Sequence, residues 1–339
     1  MKNRYFVQSA WRNLIGAMMF GCIALSSLSC RVSADKNYNS LIRRAGAESK
    51  DTNASPGANA NTNANANEKS SAPASANNST DSESTKNQSY RDNLPADFIF
   101  PVDAVGERIL SEYGAVFVAK GGVAPLTVMF ADESECSRWQ SGLSTSRVSI
   151  GGFNLELQER AMKALQEAIS EAESAGESIT PRGADSARRS YSQTVELWAS
   201  RVNPALTHWV EKGRISPQDA NRLKSLSTPE QVSKVLKLEE QGIYFSKDFS
   251  KSILYSVAAP GASQHLSMLA LDVEQFANPK VREILARHGW FQTVQSDLPH
   301  FTYLGLKETE LPAKGLKAVF FSGQKFWIPN LKAKTDKNS

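Results

Sequence analysis

The stretch Pro260-Gly261-Ala262-Ser263-Gln264-His265-Leu266-Ser267-Met268-Leu269-Ala270-Leu271-Asp272, with Asp297-Leu298-Pro299-His300-Phe301 downstream, decides how this chain is read. Leu269, Leu271 and Val273 alternate with Ala270 and Asp272, the period-two pattern of a half-buried strand, so Asp272 leaves the face opposite the leucines. The same alternation over His300-Phe301-Thr302-Tyr303-Leu304 predicts a second strand, with Phe301 and Tyr303 on one face and His300 on the other. Two adjacent strands then aim Asp272 and His300 into one pocket. His265 precedes the first strand in a loop containing Pro260-Gly261, where the backbone bends readily enough to turn a ring nitrogen back toward Asp272. A His, His, Asp set suits zinc, whose catalytic sites take three protein ligands and keep a fourth position open for water. His265, Asp272 and His300 are the expected ligands, and Zn2+ the expected cofactor.

Asp297 lies three residues before His300 with Pro299 between them, which predicts a turn that sets its carboxylate beside the metal without making it a ligand. Zinc lowers the pKa of bound water from about 16 to roughly 7, and a nearby carboxylate takes the proton as the water attacks a carbonyl. Amide hydrolysis is the chemistry these groups predict.

The pattern Pro-Gly-x-Ser-x-His-x-x-x-x-Ala-x-Asp followed by a later His resembles the zinc D-alanyl-D-alanine carboxypeptidases of the vancomycin-resistance type. The Asp-x-Pro-His-Phe ending is more similar to the related L-alanyl-D-glutamate endopeptidases; both belong to the LAS-type zinc peptidases, which cut peptidoglycan stem peptides. Upstream, Ser186-Ala187-Arg188-Arg189-Ser190-Tyr191 is similar to the family's Ser-Gly-Tyr-Arg-Ser-Tyr motif, with Arg189 at the family arginine. The resemblance runs from Asn154 to Gly305, and its motifs occur in the family order. It implies an α+β fold in which a small antiparallel sheet carries the zinc site with helices packed on it. It also implies Asp297 and Arg189 as catalytic groups, Arg189 polarising the scissile carbonyl or holding substrate. Ser190, Ser263 and Gln264 are the expected substrate-binding residues, Ser263 and Gln264 also standing behind the ligands as groups that support them. Two departures stand out: Met268 replaces the usual Gly between the His and the Ala, and Asp297 is one methylene shorter than the carboxypeptidase Glu, with no Trp before the second His. The long interval from Arg189 to His265, read as an insertion of extra helices, keeps the carboxypeptidase expectation ahead of the endopeptidase one. A third expectation, from a different class, is a wall-binding protein in which Met268 has spoiled the cleft.

The rest of the chain says where such chemistry would take place. Lys2, Arg4 and Arg12 precede an apolar run from Leu14 to Leu28, too short and too rich in small residues for a membrane span. Residues 1–34 read as an export signal, cut either after Val32-Ser33-Ala34 or before Cys30 with lipid on its sulfur. The expected location is the cell envelope outside the cytoplasm, with a membrane link through that lipid or an uncleaved signal. Residues 35–92, dominated by Asn, Ala, Ser and Thr, read as a solvated tether with too few apolar residues for a core, reaching about 40 Å as random coil. Cys136 is the one cysteine beyond the leader region, so no internal disulfide is expected. The net charge of +4, without clustered Lys and Arg joined to stacking aromatics, points away from nucleic acid.

Residues 93–152 read as an accessory β-rich region, because apolar alternations between Phe98 and Phe130 are broken by Gly121-Gly122 and Pro125. Residues 153–305 form the expected catalytic domain. Leu155, Met162, Leu165, Ile169 and Ala172 keep helical spacing and predict an amphipathic helix over 154–175. Ser216-Pro217 and Thr228-Pro229 start two helices, and Asn278-Pro279 opens another closed by Gly289, which makes His288 a helix-end residue rather than a ligand. His208 reads as structural or substrate-facing. Residues 306–339 hold a hairpin, with strands flanking Ser322-Gly323-Gln324, and a basic tail.

Overall fold

The architecture is α+β, built around a three-stranded antiparallel sheet whose middle strand carries one of the predicted ligands. It is seen in a computed structural model that describes residues 89–332. The export signal, Cys30, the tether up to residue 88 and the tail from residue 333 lie outside the described residues.

Strand β3 (Ala270–Asp272) pairs with β5 (His300–Tyr303), which also pairs with β4 (Trp290–Phe291). The register sets Asp272 directly opposite His300 and Leu271 opposite Phe301, so the polar pair and the apolar pair point to opposite faces. Leu271, Phe301 and Trp290 are buried in one core with Met162 and Leu165 of helix α3 (Glu159–Ser174) and Ile284 and Leu285 of α7 (Pro279–Arg287). Burying a side chain of this size contributes about 2 kcal/mol, so this face anchors the strands that hold the site. Helix α7 starts as predicted, with the Asn278 side chain accepting from the Lys280 N–H and Pro279 in the first turn.

The interval between Arg189 and His265 does hold helices: α4 (Tyr191–Glu211), α5 (Pro217–Lys224) and α6 (Thr228–Glu239). They enclose a second core through Trp198, Val202, Leu206, Leu223, Val235 and Phe245. The Ser216 side chain caps α5 by accepting from Asp219 N, and Ser227 with Glu230 forms a capping box on α6.

Several expectations are corrected. Between Phe98 and Phe130 there is no strand; Asp103 caps helix α1 (Ala104–Tyr113), whose Ile109, Leu110 and Tyr113 are buried, and α2 (Glu133–Ser141) follows. Only an isolated bridge, Ile99 to Thr127, records the apolar alternation. The region to residue 152 therefore has helices, with strand β1 (Thr145–Ile150) at its end pairing with β2 (Phe153–Gln158). Strand β2 also displaces the start of the predicted 154–175 helix: Leu155 and Leu157 are buried two residues apart, as a strand requires, and the helix begins at Glu159. The tether boundary at residue 92 moves back, because Tyr90 is fully buried and its hydroxyl donates to the Gly114 carbonyl at 2.6 Å. The C-terminal hairpin forms as β6 (Leu316–Phe321) and β7 (Gln324–Pro329), a separate two-stranded sheet.

Candidate metal centre

His265 is delivered by a loop whose shape depends on one glycine. Gly261 has φ +81°, and a Cβ there would lie 2.2 Å from the Phe130 carbonyl oxygen, so only glycine passes. The chain then makes a 3-10 turn over Gln264–Ser267 that ends at Met268 with φ 55° and ψ 29°, the left-handed region. That backbone is the physical demand behind the usual Gly at this position. Met268 meets it at a cost of about 1–2 kcal/mol, with its side chain buried and its carbonyl accepting from Gln158 N at 3.1 Å.

The loop, β3 and β5 bring three atoms together. His265 Nε2 and His300 Nδ1 are each 3.2 Å from Asp272 Oδ1 and 3.1 Å from one another. Three ligands of a tetrahedral zinc, each about 2.0–2.1 Å from the ion, stand about 3.3–3.4 Å apart, so the triangle fits. Among the described residues it is the group of His, Cys, Asp and Glu side chains whose ligand atoms converge in this way.

The protein prepares each ligand for a cation. The His265 Nδ1–H donates to the Ala187 carbonyl at 2.7 Å, leaving the Nε2 lone pair facing the centre. Burial, then the charge of Arg189, holds the His265 imidazole down to about 4 despite Asp272, so the ring is neutral at neutral pH. For Asp272 burial works against the charge. The Arg189 guanidinium bonded to Oδ2 opposes it, and the carboxyl is held well below its ordinary range. Neutral imidazoles and an ionised carboxylate are the states a metal requires.

Arg189 lies where the motif predicts but first serves the ligand. Its Nη2–H donates to Asp272 Oδ2 at 2.8 Å and its Nε–H to the Asp185 carbonyl at 3.0 Å, which turns Oδ1 toward the two histidines. No bond from its Nη1 to a described residue accompanies these. Asp297 stands beside the triad and outside it, in a turn where its carbonyl accepts from His300 N at 3.2 Å. The residue is exposed as a whole, yet protein surrounds its carboxyl group closely enough for desolvation to raise its pKa. The Asp272 carboxylate adds to that rise, and His300 and Arg189 oppose it.

The predicted substrate-binding residues have partners within the fold. Ser190 is the N-cap of α4, accepting from Gln193 N. Gln264 is 3% exposed, and its amide is engaged by Tyr113, Thr293, Thr302 and His300, an arrangement that suits the supporting one of its two expected roles. Ser263 is buried at the start of the 3-10 turn. His288 leaves the metal question as predicted, but through a carboxylate partner, Glu171 Oε2 at 2.7 Å, in addition to its place at a helix end. His208 is structural, stacked on Phe249 with ring centroids 4.5 Å apart. The sequence reading missed Ala187, Thr293 and Thr302. Thr302 was within reach, two residues beyond His300 on the same face of a strand.

A sheet-borne His-Asp-His centre with an adjacent carboxylate defines a candidate mononuclear metal site. No protein-family model matches the chain, and no curated protein sequence matches it. Among solved structures, the chain is similar to a mutant of the vancomycin-resistance D,D-pentapeptidase VanY from a VanB-type resistance cassette, in complex with Zn(II). That match has 16% identity and TM-score 0.29 over 49% of this chain and 82% of the other. A second, VanYB in complex with D-alanine-D-alanine, matches at 15% identity and TM-score 0.31, over 56% of this chain and 92% of the other. Both likenesses are distant.

Proposed function

We propose that this chain is a zinc-dependent D-alanyl-D-alanine carboxypeptidase that trims peptidoglycan stem peptides outside the cytoplasm. The observation that carries the reading is the triangle of His265 Nε2, Asp272 Oδ1 and His300 Nδ1, with sides of 3.1 to 3.2 Å, beside the Asp297 carboxyl. The motif residues around it supply the substrate class.

His265, Asp272 and His300 would hold the ion. When bound, zinc supplies Lewis acidity toward a carbonyl and toward water. Asp297, in its ionised form, takes the proton of the attacking water and delivers it to the leaving amine. Arg189 keeps Asp272 in place through Nη2 and offers its remaining N–H to the carbonyl oxygen as negative charge develops there. The α4–α6 insertion is assigned to covering the cleft. An export signal over 1–34 and a link through Cys30 complete the proposal, placing the enzyme on the cell envelope.

The test is digestion of purified muropeptides followed by mass spectrometry. Zinc-loaded protein is expected to release free D-Ala from pentapeptide stems, and a chelator to stop it. Untouched stems with one equivalent of zinc bound would sink the reading. The Asp297-Leu298-Pro299-His300 sequence favours a second reading, L-alanyl-D-glutamate endopeptidase, for which the product is a new L-Ala carboxy-terminus.

A further inference from the structure

We infer that Gln264 is a positioning residue that fixes the proton on His300 Nε2 and so dedicates Nδ1 to the metal. The inference rests on the metal-site reading, and it begins from an atom far away in sequence. The Gln264 side chain approaches the Tyr113 backbone carbonyl at 2.8 Å. A carbonyl oxygen only accepts, so the amide group facing it is the NH2, and the Oε1 end must face the other way. Turning the amide over would set two acceptor oxygens against each other in a site that is 3% exposed.

The buried hydroxyls agree with this orientation. Gln264 Nε2–H also reaches Thr293 Oγ1 at 3.2 Å, Thr293 Oγ1 and Thr302 Oγ1 are 2.6 Å apart, and the Thr302 hydroxyl donates to Gln264 Oε1. With Thr293 as donor to Thr302, these bonds close a ring in which every hydrogen has an acceptor. Thr293 and Thr302 are both fully buried.

Gln264 Oε1 lies 2.8 Å from His300 Nε2. Since that oxygen accepts, Nε2 must carry the hydrogen, and the lone pair of the neutral ring is left on Nδ1, the atom 3.2 Å from Asp272 Oδ1. The Ala187 carbonyl does the opposite for His265, where the proton is held on Nδ1 and Nε2 is free. The centre is therefore built from two histidines in opposite tautomers, each fixed by a protein carbonyl oxygen: one from the backbone, one from a side chain. The side-chain one can be replaced.

The experiment is long-range 1H–15N spectroscopy of metal-free protein labelled with 15N-histidine, in mildly alkaline solution, with zinc affinity measured in parallel by chelator competition. Wild type is expected to show His300 as the Nε2–H tautomer and His265 as the Nδ1–H tautomer. In Gln264→Leu, the His300 signature is expected to become mixed and zinc affinity to fall by about 10–100-fold. A wild-type His300 in the Nδ1–H form overturns the inference whether or not any variant folds, and so does a Gln264→Leu protein with unchanged zinc affinity. The predicted tautomers and tight zinc in a protein that leaves muropeptides intact would sink the peptidase reading alone.

Discussion

Among the described residues, two buried clusters of ionisable groups are built on opposite plans. At the end of α6, Glu239 is 5% exposed, and its carboxylate accepts from Ser252 Oγ at 2.5 Å, Ile253 N at 2.6 Å and Phe245 N at 3.3 Å, with Arg108 at 3.7 Å. Burial raises its pKa and these donors pull against that rise. Donors from a turn and from α1 meet its charge, so the cluster needs nothing from outside. At the triad, by contrast, the protein spends its donors on the far sides of the ligands, on Asp272 Oδ2 and on the backs of the rings, and leaves three lone-pair atoms facing each other. Burial and ionisable residues are common to both. What separates a structural cluster from a binding site is where the unsatisfied valences point.

Removing a ligand should break the contrast most severely. His265→Ala, Asp272→Ala or His300→Ala is expected to abolish both zinc retention and muropeptide hydrolysis, measured by metal analysis and mass spectrometry; retained activity in any of them would end the comparison. Asp297→Ala should keep one equivalent of zinc and lose turnover by about 10²-fold or more, since it removes proton transfer and no ligand. Glu239→Ala should do the reverse, lowering unfolding free energy in denaturant titration by about 2 kcal/mol as buried donors lose their acceptor, with zinc affinity unchanged. The last effect concerns acid. Because the folded His265 titrates at about 4 and the unfolded imidazole at 6.5, the unfolded chain takes up a proton that the folded one refuses. Metal-free protein should therefore lose stability as pH falls from about 6.5 toward about 4, with no further loss from this group below that, and His265→Gln should flatten the slope.

Asp272 and His300 were legible as candidate ligands because each is placed by a local rule. Period-two alternation fixes the faces of residues 269–273 and 300–304 before any partner strand is known. Capping residues followed by proline gave the starts of α5, α6 and α7 for the same reason. Legibility failed where two rules overlapped or where a long-range partner decided. Leu155 and Leu157 lie two apart and run straight into the helical spacing of α3, so strand and helix blurred into one element. In α1 the burial of Ile109, Leu110 and Tyr113 prevailed over the alternation near Phe98. Gln264 was visible as a polar residue beside a ligand. Its role depends on Tyr113, 151 positions away, and no local pattern carries that.

The facing of Asp272 and His300 across β3 and β5 has a consequence for how the chain reaches its fold. Both strands are short, and a slip of one position would pair Asp272 with a neighbour of His300 and send one ligand to the apolar face. A slipped sheet cannot gather three ligands and gains nothing from the ion. Metal binding adds its stabilisation only to the correct pairing, by RT ln(1 + [L]/Kd), about 4 kcal/mol when zinc is a thousandfold above its dissociation constant. A bound ion would thus act as a proofreader of strand register, checking the alignment of the short β3 by chemistry outside the hydrogen-bond ladder.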